Sequence, residues 1–176
     1  MPAQDGSTIP LENPYAMGNA WFVDNIRFVD NADEEIDLLG TIDPRKEAVT
    51  DRKYAPLLAG FKPTPVDSSS TIRLTDYDSD FVTYAVDAKK DELALFSEIY
   101  YPKGWKITID EQPAEMLRAN YTLRALPIPA GQHTVEFRFD PQSIKATDSI
   151  AYAALLIMLL TALFLVYNAV RQRSRT

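Results

Sequence analysis

Cysteine is absent from this sequence, and histidine occurs once, at His133. A chain without cysteine forms no disulfide, binds no metal through thiolates and offers no cysteine nucleophile. A single histidine, with no second one to share a metal ion, is a poor basis for a metal site. The composition therefore predicts no metal centre, no cofactor and a fold whose stability comes from its core alone.

Recognisable catalytic motifs are lacking as well. The sequence has no glycine-rich phosphate loop, no metal-ligand spacing and no Ser-His-Asp arrangement beyond what chance would give. Acidic pairs such as Asp110 and Glu111 are neighbours on a turn, whereas the two carboxylates of a glycosidase face each other across the bound sugar. No catalytic residue is therefore predicted in this chain, and its status as an enzyme stays open.

Basic residues are outnumbered in the greater part of the chain. The residues before Ile150 carry fifteen basic and 25 acidic side chains, a net charge of −10, whereas the tail after Val170 has a net charge of +3. A nucleic-acid partner would require a basic patch, so none is predicted. The acidity is that of an ordinary soluble surface.

Charge is missing altogether from Ile150–Val170, a run rich in leucine and alanine. Its length matches the roughly 20 residues that cross the hydrocarbon core of a bilayer. A buried core helix is the alternative, but such a helix seldom lacks a polar face over so many residues. The sequence therefore predicts a transmembrane helix at residues 146–170, with the lipid bilayer as its partner.

The residues at the two ends of this run predict its orientation. Two tyrosines fit the two membrane–water interfaces, and a cluster of arginines follows the run. The short basic side of a membrane span remains in the cytoplasm. We therefore expect a basic cytoplasmic tail at residues 171–176 and an acidic domain outside the cytoplasm. The predicted membrane-interface residues are Tyr152, Tyr167, Arg171, Arg173 and Arg175.

Short strands separated by turn residues fill the segment before the span. Glu92–Tyr100 is apolar on both faces, which predicts a strand covered on two sides, whereas Trp105, Ile107 and Ile109 share one face of the next strand. Because the turns are short, we expect consecutive strands to pair as antiparallel hairpins. The remaining predicted strands are Ala20–Asp30, Glu47–Asp51, Thr71–Tyr77, Phe81–Asp87, Tyr121–Ile128 and His133–Asp140.

This strand pattern predicts a mainly β fold, an antiparallel β-sandwich at residues 18–145 that follows an N-terminal loop at 1–17. One short helix is predicted at Asn31–Leu39, with Asn31 as its N-cap. Two acidic runs, that helix start and Asp76–Asp80, invite a cation-site interpretation. The first lacks the spacing of a cation loop and the second lacks the glycine and distal glutamate of an EF-hand, so a capped helix and a hairpin turn are favoured.

Three stretches of the chain resemble a known family. They are SEIYYPKGWKITID at residues 97–110, RANYTLRALPIPAGQHTVEFRF at 118–139, followed by the span, and NPYAMGNAWFVDNIRFVDNADEEIDLL at 13–39. Together they resemble the carboxyl-terminal end of YfhO-like bacterial membrane proteins, in the form met in the Bacteroidetes. Those proteins are large and polytopic, and are similar to the GT-C class of glycosyltransferases, which use lipid-linked sugars. Catalytic acidic residues of that class lie in loops near the amino-terminal membrane helices, and no segment here corresponds to them.

The resemblance bears on how the domain reaches the outside. Met1–Pro14 has neither the basic nor the apolar region of a signal peptide. Either the orientation is reversed, or the chain is the end of a longer protein whose other helices are its partners. The resemblance favours the second alternative and implies a location in the bacterial cytoplasmic membrane.

Aromatic and planar polar side chains in the resembling block are candidates for binding an envelope glycan or a protein partner. Flat aromatic rings suit a sugar face, and arginine and asparagine suit its hydroxyl groups. Filling of the sandwich core by Trp105 and one or two tyrosines is the favoured alternative. A third interpretation places Tyr100, Tyr101 and Pro102 against the membrane or neighbouring helices. The candidate residues are Tyr100, Tyr101, Trp105, Arg118, Asn120, Tyr121 and Arg124.

Two functions remain in competition at this point. The resemblance implies an accessory domain and membrane anchor of a YfhO-like protein that acts in lipid-carrier-dependent glycosylation of envelope polymers. The alternative is a membrane-anchored module that binds a glycan or a protein without catalysis.

Overall fold

The computed structural model describes residues 13–62 and 64–173. Eleven strands, two α-helices and one 3₁₀ helix follow one another in this part of the chain. The helices are α1 (Ala32–Leu39), the 3₁₀ helix Arg52–Leu58 and α2 (Gln142–Arg173). The strands are β1 (Ala20–Val23), β2 (Asn25–Val29), β3 (Glu47–Asp51), β4 (Thr71–Tyr77), β5 (Phe81–Ala88), β6 (Glu92–Ile99), β7 (Trp105–Ile109), β8 (Gln112–Ala114), β9 (Leu117–Ala119), β10 (Leu123–Ile128) and β11 (Gly131–Phe139).

Two antiparallel sheets face each other across the main core. One has the strand order β1-β6-β10-β9, and the other has the order β4-β5-β11-β7-β8. Phe96 of the first sheet meets Tyr84 and Phe137 of the second, with ring centroids 4.9 Å apart in both pairs. The prediction of a mainly β, antiparallel fold followed by one long apolar helix is confirmed.

A second apolar layer covers the outer face of the four-stranded sheet. Leu93 and Leu95 of β6 are fully buried there against a side layer that contains Ile26, Ala48 and Leu58. Ala94 and Phe96 of the same strand point into the main core. Strand β6 is thus buried on both faces over its first five residues, as its continuous apolar sequence predicted.

The side layer is built from the only parallel strand pair in the described part of the chain. Strands β2 and β3 run in parallel, with Asn25 opposite Glu47, and α1 connects them with the chain that follows it. The Asn31 side chain accepts a hydrogen bond from the Glu34 N–H, and the Glu34 carboxylate accepts one from the Asp30 N–H. This reciprocal cap explains why α1 begins where the sequence predicted.

The predicted hairpins are wrong for several consecutive strands. Strand β7 pairs with β11 and β8, not with β6, and β10 pairs with β6 and β9, not with β11. Short turns predict hairpins, but in a sandwich an equally short turn also carries the chain from one sheet to the other. The loop after Ile99 and the turn at Pro129 both do so.

Two strand boundaries also differ from the prediction. Ala20–Asp30 is divided at Asp24, because the Asp24 carboxylate accepts the Val66 N–H at 2.6 Å and its N–H donates to the Lys46 carbonyl. Tyr121 lies in a turn instead of a strand, with Asn120 and Tyr121 at φ values of 49° and 69°. Such paired positive φ values suit a tight hairpin turn, and the three residues from Asn120 to Thr122 join β9 to β10.

Helix α2 leaves the sandwich directly after β11. Its most apolar 18-residue window has a mean hydropathy of 2.5, and none of that window is buried. A core helix of this hydropathy would be covered by protein, so the exposed surface fits a helix whose apolar side chains face lipid.

Candidate functional site

The candidate residues predicted from the sequence separate into two groups and one isolated residue. Tyr100, Trp105 and Arg124 meet near the end of the sandwich from which α2 leaves. Arg118, Asn120 and Tyr121 surround a buried glutamate on the side layer. Tyr101 is 51% exposed and lines a second surface depression, on the α2 side of Trp105.

Arg124 lies between the two sheets beneath Trp105. Its guanidinium carbon is 4.1 Å from the Trp105 ring centroid and 5.2 Å from that of Phe137. The side chain is only 3% exposed, and its Nε donates to the Ile99 carbonyl at 3.0 Å. Burial lowers the pKa of Arg124 below its usual range, although the Glu98 carboxylate partly opposes this. Trp105 therefore covers the buried guanidinium and makes a cation–π contact with it.

Tyr100 and Tyr54 form the aromatic wall of a surface groove. Their ring centroids are 5.9 Å apart in an edge-to-face arrangement. Burial, together with a hydrogen bond with Tyr54, raises the pKa of Tyr100 to about 12. The groove has a volume of about 540 Å³, and its lining combines these rings with apolar side chains and a few polar ones. Its principal lining residues are Tyr54, Leu57, Tyr100, Pro102, Trp105, Pro113 and Met116.

The second group is a buried ion-pair network around Glu35 of α1. Glu35 is 0% exposed, and its carboxylate accepts from Arg118 Nη2 and from the Tyr121 N–H, each at 2.7 Å. Asn120 exchanges two hydrogen bonds with the Val49 backbone, at 2.7 and 2.9 Å. These contacts tie α1 and β3 to the turn between β9 and β10.

The chain between Tyr101 and Trp105 supports the beginning of α2. Gly104 has φ +90°, and its carbonyl accepts the Asp140 N–H at 2.7 Å. A Cβ at this position would lie 2.8 Å from a Phe139 ring carbon and 2.9 Å from Pro141 Cβ. Only glycine fits here, so the connection between sheet and helix is closely packed.

The acidic and histidine-containing features have local roles in the structure. Asp110 accepts from His133 Nδ1 at 2.6 Å and from the Thr134 N–H at 2.8 Å, and the pKa of Asp110 is lowered by these contacts. The predicted hairpin between β4 and β5 is present, but only Asp78–Asp80 form its connection, because Asp76 lies in β4 opposite Thr83. Within residues 13–62 and 64–173, no three His, Cys, Asp or Glu side chains are grouped so that they could hold a metal ion.

A family comparison agrees with the resemblance found in the sequence. Residues 67–151 match the model of the family described as bacterial membrane protein YfhO. The match begins just before β4 and ends inside α2, so it covers every strand of the two sheets except β1, together with the entry into the apolar helix. Recognition of the YfhO family is thereby confirmed, and the narrower resemblance to the Bacteroidetes form stays a prediction. No curated protein and no solved structure matches the chain.

The YfhO match and the exposed apolar helix together identify this chain as a membrane protein. Tyr152 and Tyr167 are 72% and 61% exposed on α2, near the two ends of its apolar run. Arg171 and Arg173 lie in its last turn, and Arg175 is outside the described residues. Their assignment to the two membrane interfaces stays a prediction.

Two residues of the YfhO-like chain that shape these sites were not singled out from the sequence. Tyr54 lies just before Pro56, in a stretch without helical or strand periodicity, and the structure places it in a 3₁₀ helix against Tyr100. Glu35 is one of three acidic residues in the first turn of α1. The place of Glu35 on the helix face toward the sheet is a sequence signal for its burial. Its partner Arg118 carries no such signal, because it is 83 residues away in sequence.

Proposed function

We propose that this chain is the extracytoplasmic accessory domain and membrane anchor of a YfhO-like polytopic protein that acts in lipid-carrier-dependent glycosylation of envelope polymers. The observation that carries the proposal is the continuous family match from the sandwich into α2. The sandwich would shape or hold the acceptor side of the assembly, and α2 would pack with other helices of the parent protein.

A genetic experiment in the source bacterium tests this role. Removing the codons for residues 18–141 from the chromosomal gene should abolish or strongly reduce the sugar substituents on envelope polymers, measured by mass spectrometry of the purified polymers. A strain with the unaltered gene at the same locus is the matched control. Normal glycosylation in the deletion strain, with the truncated protein present in the membrane, would rule out the proposed role.

The proposed topology places the sandwich outside the cytoplasm and the C-terminus inside. We expect a reporter enzyme that is active only in the periplasm to function when fused before Met1 in the full-length protein, and to be inactive when fused after Thr176. The physical reason is the basic cluster after the apolar run, because short basic segments stay in the cytoplasm. A reporter that is active only in the C-terminal fusion would reverse the topology.

A second candidate function rests on the aromatic groove beside Trp105. Its rings and apolar walls, with Lys106, Thr108 and Glu115 at its border, form a surface that could stack against a sugar ring and bond its hydroxyl groups. In this case the chain would be a membrane-anchored glycan-binding module without catalysis.

The two tryptophans of the chain allow a direct test of the groove. Trp21 is held away from it by a 2.9 Å hydrogen bond from its indole N–H to the Pro44 carbonyl. In a Trp21→Phe variant, titration with soluble oligosaccharides cut from the envelope polymer should shift the emission of Trp105. The matched control is Trp105→Phe, in which only Trp21 reports and no shift is expected. Equal responses from both variants, or no response from either, would remove the glycan-binding candidate.

A further inference from the structure

Exposed apolar side chains on the sandwich are concentrated at one of its ends. We call this set the apolar rim. Outside α2, the described residues present only two other exposed large apolar side chains, Tyr15 and Ile36. The apolar rim consists of Tyr77 (63% exposed), Ile99 (72%), Tyr101 (51%) and Tyr121 (38%).

Strand directions place the rim residues at a common end. Tyr77 ends β4, Ile99 ends β6 and Tyr101 follows Ile99 by two residues. The turn that contains Tyr121 is joined to the same place, since the Tyr100 N–H donates to the Thr122 carbonyl at 2.6 Å.

Helix α2 starts from this end as well. The Phe139 N–H at the end of β11 donates to the Asp80 carbonyl at 2.6 Å, and Phe139 lies opposite Trp105 in the sheet. The rim therefore surrounds the point at which the chain turns toward the membrane.

The opposite end of the sandwich has a different chemistry. The turn between β5 and β6 contains Lys89, Lys90 and Asp91, and the turn between β7 and β8 contains Asp110 and Glu111. None of the exposed large apolar side chains in the described part of the chain belongs to these turns. A soluble domain has no need for such a difference between its two ends, whereas a domain that stands on a bilayer does.

We infer that the apolar rim rests in the headgroup layer of the bilayer that α2 crosses. The helix residues from Gln142 to Ser149 advance about 12 Å before the charge-free run begins. The headgroup layer on each side of a bilayer is roughly 5–8 Å thick. The rim thus stands within a side chain's length of the headgroups, and the usual tilt of a membrane helix, about 20°, lowers one side of it further. Tyrosine is the residue type enriched at that depth.

Charges around the rim specify the kind of lipid surface. Asp78 and Asp80 are exposed in the hairpin beside Tyr77, and Lys103 is exposed beside Tyr101. With both signs present, the rim should not depend on anionic headgroups, so a zwitterionic phosphatidylcholine bilayer is the appropriate probe.

The absence of cysteine makes a single-label experiment straightforward. The full chain is reconstituted in phosphatidylcholine vesicles with one introduced cysteine that carries an environment-sensitive fluorophore. Lys103→Cys and Ser79→Cys place the label beside the rim without removing a rim residue, and Lys89→Cys places it at the opposite end as a matched control. Phosphatidylcholine with a nitroxide on its headgroup serves as the quencher.

We expect the labels at positions 103 and 79 to lose most of their fluorescence and the label at position 89 to lose almost none. Changing Tyr77, Ile99 and Tyr101 together to serine in the Lys103→Cys background should restore much of the lost signal, because these exposed side chains make the contact. Equal quenching at both ends, or none at positions 103 and 79, would overturn the inference and leave the rim to a protein partner or a second copy. Unchanged quenching in the triple variant would also overturn it, since the helix alone would then account for the proximity.

Discussion

Replacing Phe137 with alanine is expected to lower the free energy of unfolding of the sandwich by about 3–5 kcal/mol. Phe137 is 0% exposed, and its ring packs edge-on against Phe96 and Tyr84, with centroids 4.9 and 6.2 Å away. The substitution leaves a cavity between the two sheets and also removes one of the two aromatic rings beside the buried Arg124 guanidinium. A domain of this size is stable by only about 5–15 kcal/mol, so the loss is a large fraction of the total.

The measurement is denaturant unfolding of the full chain in detergent micelles, followed by tryptophan fluorescence. Tyr15→Ala is the control, because it also truncates an aromatic residue but one that is 73% exposed. The control should unfold close to wild type, within about 0.5 kcal/mol. If Phe137→Ala unfolded at the wild-type denaturant concentration, the two sheets would not share the core described here.

The second large effect is expected for Glu35→Gln, with a loss of about 3–5 kcal/mol. The carboxylate of Glu35 is fully buried and accepts from Arg118 and from the Tyr121 N–H. Glutamine can still accept one hydrogen bond, but it removes the carboxylate that pairs with Arg118, whose side chain is 22% exposed. The same denaturant experiment measures the effect, and Asp37→Asn, at an exposed position of the same helix, is the matched control.

A double variant separates charge compensation from packing. Glu35→Met combined with Arg118→Met removes both charges, and it should unfold at a higher denaturant concentration than Glu35→Gln alone, because an apolar pair avoids the uncompensated charge. Two outcomes would contradict this account of the network. One is a Glu35→Gln variant as stable as Asp37→Asn, and the other is a double variant less stable than Glu35→Gln.

Local structure was predictable wherever turn residues and alternation of apolar side chains acted together. Strand β4 has the predicted bounds, β5 extends one residue further, and the alternating residues Val82, Tyr84 and Val86 face the core. The N-cap at Asn31 was predictable because both hydrogen bonds of its side chain are with Glu34, three residues along the chain.

Partners across the sandwich were not predictable, because periodicity determines which face of a strand is apolar and not which strand lies beside it. Trp105 was expected next to the most apolar strand, β6, but β7 lies in the other sheet beside β11. The contact of Trp105 with Arg124 arises from this arrangement, since it joins residues of opposite sheets. For the same reason, Asn120 and Arg118 appeared in the sequence as surface donors, whereas their partners Val49 and Glu35 come from distant segments.

The closely packed connection between β11 and α2 at Gly104 restricts motion of the sandwich, and of its groove, relative to the membrane helix. Only Asp140 and Pro141 separate the last sheet residue from the first helix residue. Gly104 packs against both, since its carbonyl accepts the Asp140 N–H and its Cα lies close to the Pro141 side chain. A flexible linker would let the sandwich reorient freely above the membrane, but this connection is short and tightly packed. The sandwich is therefore expected to rotate and diffuse together with the helix as one rigid body. A glycan bound as proposed in the groove would therefore lie at a fixed height above the bilayer.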